Sequence, residues 1–133
     1  MPSGNTDPSP PPPPPSSLPD VDAYRPLITK LSVSQSFTGD KLDYAKSNWT
    51  TWSTKILIKL ALNGLKGYIT GTASCPLATS EPRAHANWLH NDELAFNFIL
   101  DNIEDREQTP VVTKKTAKEC WVLLLAQSNP YLG

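Results

Sequence analysis

The residues from 48 to 62 constrain the fold most, because large apolar side chains recur there with the period of an α-helix. Four of them follow one another at spacings of three, four and four residues: Trp49, Trp52, Ile56 and Leu60. This spacing places them on one helix face, and two tryptophans one turn apart bury a large apolar area. We therefore expect a helix over residues 48–63 that forms the floor of the core. Ser47 or Asn48 can cap its start.

The segment after this helix contains three glycines and predicts a change of chain direction. Gly64 is well placed to end the helix, because glycine enters the left-handed conformation without a Cβ clash. Leu65 is expected to return to the core before Gly71 introduces another turn. Ile58, Leu62 and Leu65 widen the apolar stripe of the helix, so more than one neighbour is expected to cover it.

A second helix is predicted over residues 80–104. Pro82 lies in its first turn, where the missing amide costs nothing. Its expected buried side consists of Trp88, Asp92, Ala95, Phe96, Ile99 and Ile103. Asp92 is expected to accept a hydrogen bond inside the protein, from the indole of Trp49 or Trp52 or from a neighbouring helix cap. Acidic residues near position 105 oppose the helix dipole, so the helix should fray before them.

A third helix is predicted over residues 116–127. Thr116 and Glu119 have the spacing of a capping box, in which each residue satisfies an amide of the other. Trp121, Leu124 and Leu125 form its expected inner face. The three helices predict an all-α fold, a small bundle within a domain that spans residues 37–133.

Residues 1–36 form the predicted tail and transition that precede this domain. Nine of the fourteen prolines lie in the first twenty residues, and six are consecutive: Pro10, Pro11, Pro12, Pro13, Pro14 and Pro15. Such a run favours a solvated polyproline II conformation, so the tail is expected to be disordered. It is either a spacer or a ligand for the aromatic groove of an SH3, WW or profilin-type domain.

Charge and cysteine content exclude several classes of protein. From residue 37 onward ten acidic side chains oppose ten basic ones, so no basic nucleic-acid-binding patch is predicted. Cys75 and Cys120 are too few and too far apart for a disulfide framework or a zinc site, which favours a reducing compartment. No apolar run has the length of a membrane span, and the N-terminus does not resemble a secretory signal. We expect an intracellular, cytoplasmic chain.

Catalysis is not expected, because no pattern of reactive residues is present. His85 and His90 are five positions apart, whereas helical metal ligands lie three or four apart so that both reach one ion. No phosphate-binding glycine loop and no serine with the spacing of a hydrolase nucleophile occurs. The sequence therefore predicts no catalytic residues, no metal and no cofactor.

Four segments, in order, resemble the N-terminal part of the Gag polyprotein of copia-type LTR retrotransposons. After the short segment at residues 37–39, the resemblance is carried by Asn48, Trp49, Trp52, Gly64, Leu65, Gly71, Trp88, Asp92, Ala95, Ile99, Thr116, Glu119, Trp121 and Leu124. It implies a helical capsid-like domain that associates with itself into virus-like particles, by packing of helix faces and without catalysis. In such a domain these residues are core scaffold rather than ligand contacts.

The chain also departs from the Gag pattern. The segment between Thr38 and Asn48 is longer than in the family, and the cysteine–histidine zinc knuckle that grips RNA in many members is missing, so RNA binding is expected to be weak or absent. The family continues past the helix of Trp121, so a truncated Gag is expected, with an exposed apolar patch around Trp121, Leu124 and Leu125. The alternatives are an adaptor that works through its proline-rich tail and a relic without function.

Overall fold

The computed structural model describes residues 26–128, so the predictions for the proline-rich run lie outside the described residues. This part of the chain contains five α-helices, one 3₁₀ turn and no β-strand, and the all-α prediction is confirmed. The elements are η1 (Tyr44–Lys46), α1 (Trp49–Leu62), α2 (Lys66–Thr70), α3 (Pro82–Leu100), α4 (Asp105–Gln108) and α5 (Ala117–Ser128). The three main helices of the sequence prediction correspond to α1, α3 and α5.

Helix α1 ends in a Schellman motif at the predicted glycine. Gly64 has a φ of 75°, and its amide donates to the carbonyl of Ala61 over 3.0 Å. The amide of Leu65 donates to the carbonyl of Leu60 over 2.7 Å. These two bonds satisfy carbonyls that the helix end leaves free, and they direct Leu65 into the core, where it is fully buried.

The start of α1 differs from the prediction. Asn48 occupies the N-cap position, but its side chain makes no capping hydrogen bond. Its Oδ1 accepts from the amide of Asp43 over 2.9 Å, and its Nδ2 donates to the carbonyl of Lys41 over 2.9 Å. Ser47 closes η1 instead. The predicted side-chain cap is therefore wrong, because the Asn48 amide group is engaged with both backbone groups of the preceding loop.

Helix α3 begins with Pro82 in the first turn, as predicted, and ends at Leu100, before the predicted boundary at residue 104. Ile103 lies beyond the helix and pairs with Leu42 in a single parallel bridge. The Leu42 amide donates to the carbonyl of Asn102, and the Glu104 amide donates to the carbonyl of Leu42, both over 2.9 Å. The loop before α1 is thereby fastened to the end of α3.

The core lies between α1, α2, α3 and α5. Helix α2 packs against all three long helices, and α3 also packs against α5. Fully buried residues from these helices include Ile56, Leu60, Ala95, Ile99, Cys120 and Leu124. Ile58 and Leu62 were expected to be covered, but they are 55% and 60% exposed. They stand two positions after the buried pair at 56 and 60, which is about 200° around a helix, so they face away from the core.

Candidate interaction surface

Three tryptophans from α1 and α5 form one aromatic cluster. The ring centroids of Trp49 and Trp121 are 5.3 Å apart, and those of Trp52 and Trp121 are 5.9 Å apart. Rings at these separations attract beyond their simple burial. Trp52 is buried, and its Nε1 donates to the carbonyl of Asn102 over 2.7 Å. Trp49 and Trp121 are half-buried. The cluster joins the first and last described α-helices.

The N-terminus of α5 is closed by acceptors from two directions. Thr116 Oγ1 accepts from the Glu119 amide over 3.1 Å, and Glu119 Oε1 accepts from the Thr116 amide over 3.3 Å, which is the predicted capping box. Asp92 Oδ1, on α3, accepts from the Ala117 amide over 3.1 Å. Of the partners expected for Asp92, the helix cap is correct and the indoles are wrong. Burial raises the pKa of the Asp92 carboxyl, because the charged form loses its hydration.

The segment between α2 and α3 is held by Trp88 and a glycine. Trp88 Nε1 donates to the carbonyl of Ala73 over 2.7 Å, and its ring centroid lies 5.5 Å from that of Tyr68. Gly71 has a φ of 87°, and a Cβ there would approach the Lys118 side chain to 2.9 Å. Glycine suits this position because it tolerates both the positive φ and the close approach. Trp88 and Gly71 thus fix the path of the chain between α2 and α3.

Cys75 and His85 lie side by side, and both are engaged with the carbonyl of Pro76. His85 Nδ1 donates to the carbonyl of Pro76 over 2.9 Å, and Cys75 Sγ lies 3.4 Å from the same nitrogen. Because a carbonyl can only accept, that nitrogen keeps its proton and cannot take one from the thiol. Burial also raises the pKa of Cys75. Across residues 26–128, no group of three or more His, Cys, Asp or Glu side chains could hold a metal ion.

Four polar side chains, one at the C-terminal end of α1 and three on α3, bind the backbone of residues 28–35. The sequence analysis placed this segment in the transition before the domain. We call the segment the strap and the side chains the cradle, which consists of Asn63, Asn87, His90 and Asn91. The strap has no regular secondary structure. Sequence reasoning missed this contact, because asparagines on a helix ordinarily indicate a solvated face.

Each cradle side chain meets the strap at main-chain atoms. Asn91 Oδ1 accepts from the Leu31 amide over 2.8 Å, and its Nδ2 donates to the Thr29 carbonyl over 2.9 Å. His90 Nε2 donates to the Leu31 carbonyl over 3.0 Å. Asn87 Nδ2 donates to the Ile28 carbonyl over 2.8 Å.

Asn63, the C-cap residue of α1, holds the end of the strap. Its Oδ1 accepts from the amides of Ser34 and Gln35 over 2.8 and 2.9 Å. Its Nδ2 donates to the Gln35 carbonyl over 2.8 Å and to the Lys59 carbonyl of α1 over 2.9 Å. Asn63 therefore joins the strap to the helix end.

Two apolar side chains remain exposed on α5. Val122 is 53% and Leu125 is 47% exposed, and they lie three positions apart, on neighbouring turns. The predicted patch around Trp121, Leu124 and Leu125 is partly wrong: Leu124 is fully buried, and Trp121 is half-buried in the aromatic cluster. We call Val122 and Leu125 the α5 face.

An open groove of about 860 Å³ borders this face near the start of α5. Lys114, Lys115 and Lys118 line it together with Glu119 and Val122. The amides of Ala117 and Glu119 at this helix start already have acceptors. The groove therefore offers lysine ammonium groups to a partner but not those two helix amides.

Comparison with protein-family models, with curated proteins and with solved structures returned no match to this chain. Among the helices of residues 26–128, none combines the length and the apolar character that crossing a membrane requires.

Proposed function

We propose that this chain is a non-enzymatic self-association domain of the copia-type Gag kind, which assembles by packing helix faces of neighbouring copies. The observation that carries the proposal is the α5 face. Val122 and Leu125 each leave about half of their surface in contact with water, at a spacing that aligns them on one side of a helix. Burial of such aliphatic side chains against another copy is favourable.

The distribution of roles among the Gag-like residues supports the same function. Trp52, Ala95, Ile99 and Leu124 are buried in the core, and Thr116 is engaged in the capping box. Because these residues are buried or engaged in contacts within the domain, the side chains that can bind a partner are those exposed on the surface. Such a division suits a domain that acts through its surface rather than through a pocket.

The net charge of the chain does not oppose a second copy as the partner of the α5 face. The whole chain has a formal net charge of −1, so two copies approach without strong mutual repulsion. Apolar contacts between copies should also persist as salt is raised, because screening acts on charges and not on hydrophobic burial.

Light scattering coupled to size exclusion, over a range of protein concentrations, tests this function. We expect discrete oligomers or particles, with negative-stain microscopy defining any large species. The double substitution Val122→Glu with Leu125→Glu should lower the mass by placing charges in the contact. Leu77→Glu is the matched control, because Leu77 is 70% exposed in the loop before α3 and lies away from the α5 face in sequence. A wild-type monomer at every concentration, or an unchanged mass in the double variant, would contradict the proposal.

A second candidate function is an intracellular adaptor, favoured by the run from Pro10 to Pro15. A preformed polyproline II segment binds aromatic grooves at a small entropic cost. Pull-down with the full chain and with a chain lacking residues 1–20 distinguishes the two functions. Loss of all partners on deletion would favour the adaptor, whereas an unchanged set of partners and an unchanged oligomeric state favours self-association.

A further inference from the structure

The cradle binds mainly the main chain of the strap; one side chain of the strap takes part, since Ser34 Oγ donates to Asn63 Oδ1 over 3.4 Å. Seven hydrogen bonds join cradle side chains to backbone amides or carbonyls of residues 28–35. Amide and carbonyl groups recur at almost every residue of any peptide. The requirement that these bonds impose is therefore an extended conformation with the correct spacing of backbone groups, and not a specific sequence.

One apolar anchor supplements these bonds. Leu31 is partly buried and packs against the core, with Cδ1 3.5 Å from the position that a Cβ of Gly64 would occupy. Leu27, four positions earlier, is 80% exposed. The contact thus combines main-chain hydrogen bonds with a single leucine, as in other modes of extended-peptide recognition.

The cradle needs an occupant. Asn91 is fully buried and Asn63 is 6% exposed, and a buried amide without partners loses the hydrogen bonds that water would give it. Removal of the strap would leave the Oδ1 atoms of both asparagines without their present donors. These burial values hold with the strap in place, so a strap that leaves exposes the two amides to water, and an equivalent segment would restore both their hydrogen bonds and their burial.

The connection behind the strap permits it to leave. Within the described part of the chain, the backbone of residues 36–40 makes no hydrogen bond and contains Gly39. The side chain of Phe37 packs against the core. The chain is fixed again at Lys41, whose carbonyl accepts from Asn48, and at Leu42, which pairs with Asn102 and Glu104. A change of backbone direction in residues 36–40 would release the strap and withdraw Phe37 from the core, while the bonds at Lys41 and Leu42 would remain.

We infer that the cradle is an exchange site, in which the strap of a second copy of this chain replaces the resident strap. A second copy brings the same backbone spacing and the same leucine, so the contacts inside the cradle are identical in the closed and exchanged forms. The equilibrium between the closed and exchanged forms then depends on the backbone of residues 36–40 and on the protein concentration. Exchange of identical elements is therefore a low-cost route to oligomers. The exchange adds a second contact, distinct from the α5 face, to the self-association proposed above.

Isotope-mixed cross-linking of the full chain tests the exchange. Equal amounts of ¹⁴N- and ¹⁵N-labelled protein are incubated together at high concentration, and the oligomer fraction is treated with a lysine-reactive cross-linker. Lys30 is adjacent to Leu31, which lies over Gly64, and Lys66 follows Gly64 by two positions. Mass spectrometry of Lys30–Lys66 links then reports whether each strap and its cradle come from one copy or from two.

We expect mixed and unmixed links in equal amounts in a fully exchanged oligomer. Leu31→Ala should reduce the mixed links several-fold by removing the anchor, with tryptophan fluorescence checking that the aromatic cluster is retained. Leu27→Ala is the matched control and should leave the mixed links unchanged. Should Leu31→Ala unfold the chain, Asn87→Ala gives a milder weakening of the cradle and should lower the mixed fraction.

The outcomes separate the exchange from the proposed function. Oligomers whose Lys30–Lys66 links are all unmixed would overturn the exchange and leave self-association intact. Mixed links that persist unchanged in the folded Leu31→Ala and Asn87→Ala variants would also overturn it, because they would come from surfaces that merely lie close together. A chain that stays monomeric with unmixed links at every concentration would overturn both. Mixed links in oligomers whose mass is unchanged by Val122→Glu with Leu125→Glu would support the exchange but not association through the α5 face.

Discussion

Asp92, in the middle of α3, accepts a hydrogen bond from the backbone amide of Ala117, the first residue of α5, across 25 positions of sequence. The bond satisfies an amide at the first turn of a helix that has no partner inside its own helix. Because Ala117 is fully buried and Asp92 is 6% exposed, water does not readily replace the carboxylate. This side chain therefore fixes where α5 starts relative to α3.

Two substitutions of Asp92 should distinguish the contribution of its acceptor oxygen to stability from the contribution of its charge. Asp92→Ala removes the acceptor of the Ala117 amide and should lower the free energy of unfolding by ~1–2 kcal/mol, the usual range for loss of a helix cap. Asp92→Asn keeps an acceptor oxygen and avoids burial of a charge, so its loss should be clearly smaller. Urea unfolding followed by circular dichroism measures both. Equal losses in the two variants would mean that the hydrogen bond does not matter.

Trp121 should be more sensitive to truncation than its exposed neighbour Val122 on α5. Trp121→Ala removes the ring that packs against both Trp49 and Trp52, and we expect a loss of ~3 kcal/mol, typical of truncating a large aromatic side chain in a packed site. Val122→Ala is the neighbouring control, and its change should stay within ~0.5 kcal/mol because Val122 is exposed. Thermal unfolding monitored by near-ultraviolet circular dichroism checks both, and equal melting temperatures would contradict the packing of this cluster.

The sequence predicted the helices well because their signals are local. The spacing of Trp52, Ile56 and Leu60 predicts one face of α1. The capping box of Thr116 and Glu119 predicts the start of α5 from only four consecutive residues. Gly64 likewise terminates α1 through bonds to the preceding turn. Each of these features depends on a helical period or a helix cap, and all the residues that form it are close together in the sequence.

The contacts that the sequence did not predict join residues far apart in the chain. Asn91 binds the strap across 60 positions, and no local pattern separates such an asparagine from one on a solvated helix face. Asn48 was assigned to the α1 cap because its type and position fitted, but the preceding loop competed for its side chain. The exposure of Ile58 and Leu62 depends on how few helices surround α1, which their own hydrophobicity does not encode.

The two cysteines should differ in reactivity. Cys120 is fully buried, and burial raises the pKa of its thiol to about 12. Desolvation also raises the pKa of Cys75, but Cys75 is exposed and open to a reagent. Since the thiolate is the reactive form, an aromatic disulfide reagent should modify Cys75 in the native chain and Cys120 only after unfolding. Cys75→Ser should abolish the native reaction. Rapid modification of that variant without denaturant would contradict the burial of Cys120.

Two aspartates should make opposite contributions to stability as the pH falls. Hydrogen bonding by the Arg106 guanidinium lowers the pKa of Asp43, so the stability that this pair gives is present above the usual aspartate pKa of about 4. It is lost as the pH falls through the lowered pKa of folded Asp43. Burial raises the pKa of Asp92, so the folded state takes up a proton there more readily, and this group favours the folded state as the pH falls through its raised pKa.

Arg106→Gln and Asp92→Asn should therefore respond to pH in opposite directions. Arg106→Gln should be less stable than the wild type at neutral pH, and the difference should shrink in acid as Asp43 becomes protonated. The free energy of unfolding of Asp92→Asn, relative to that of the wild type, should be highest at neutral pH, where Asp92 of the wild type carries an unfavourable buried charge. This relative advantage should disappear in acid, where Asp92 is protonated. Urea unfolding at pH values from neutral to about 3 spans the usual aspartate titration and measures both differences. An Arg106→Gln difference that stays constant over this range would show that the ion pair does not stabilise the loop before α1 through the charge of Asp43.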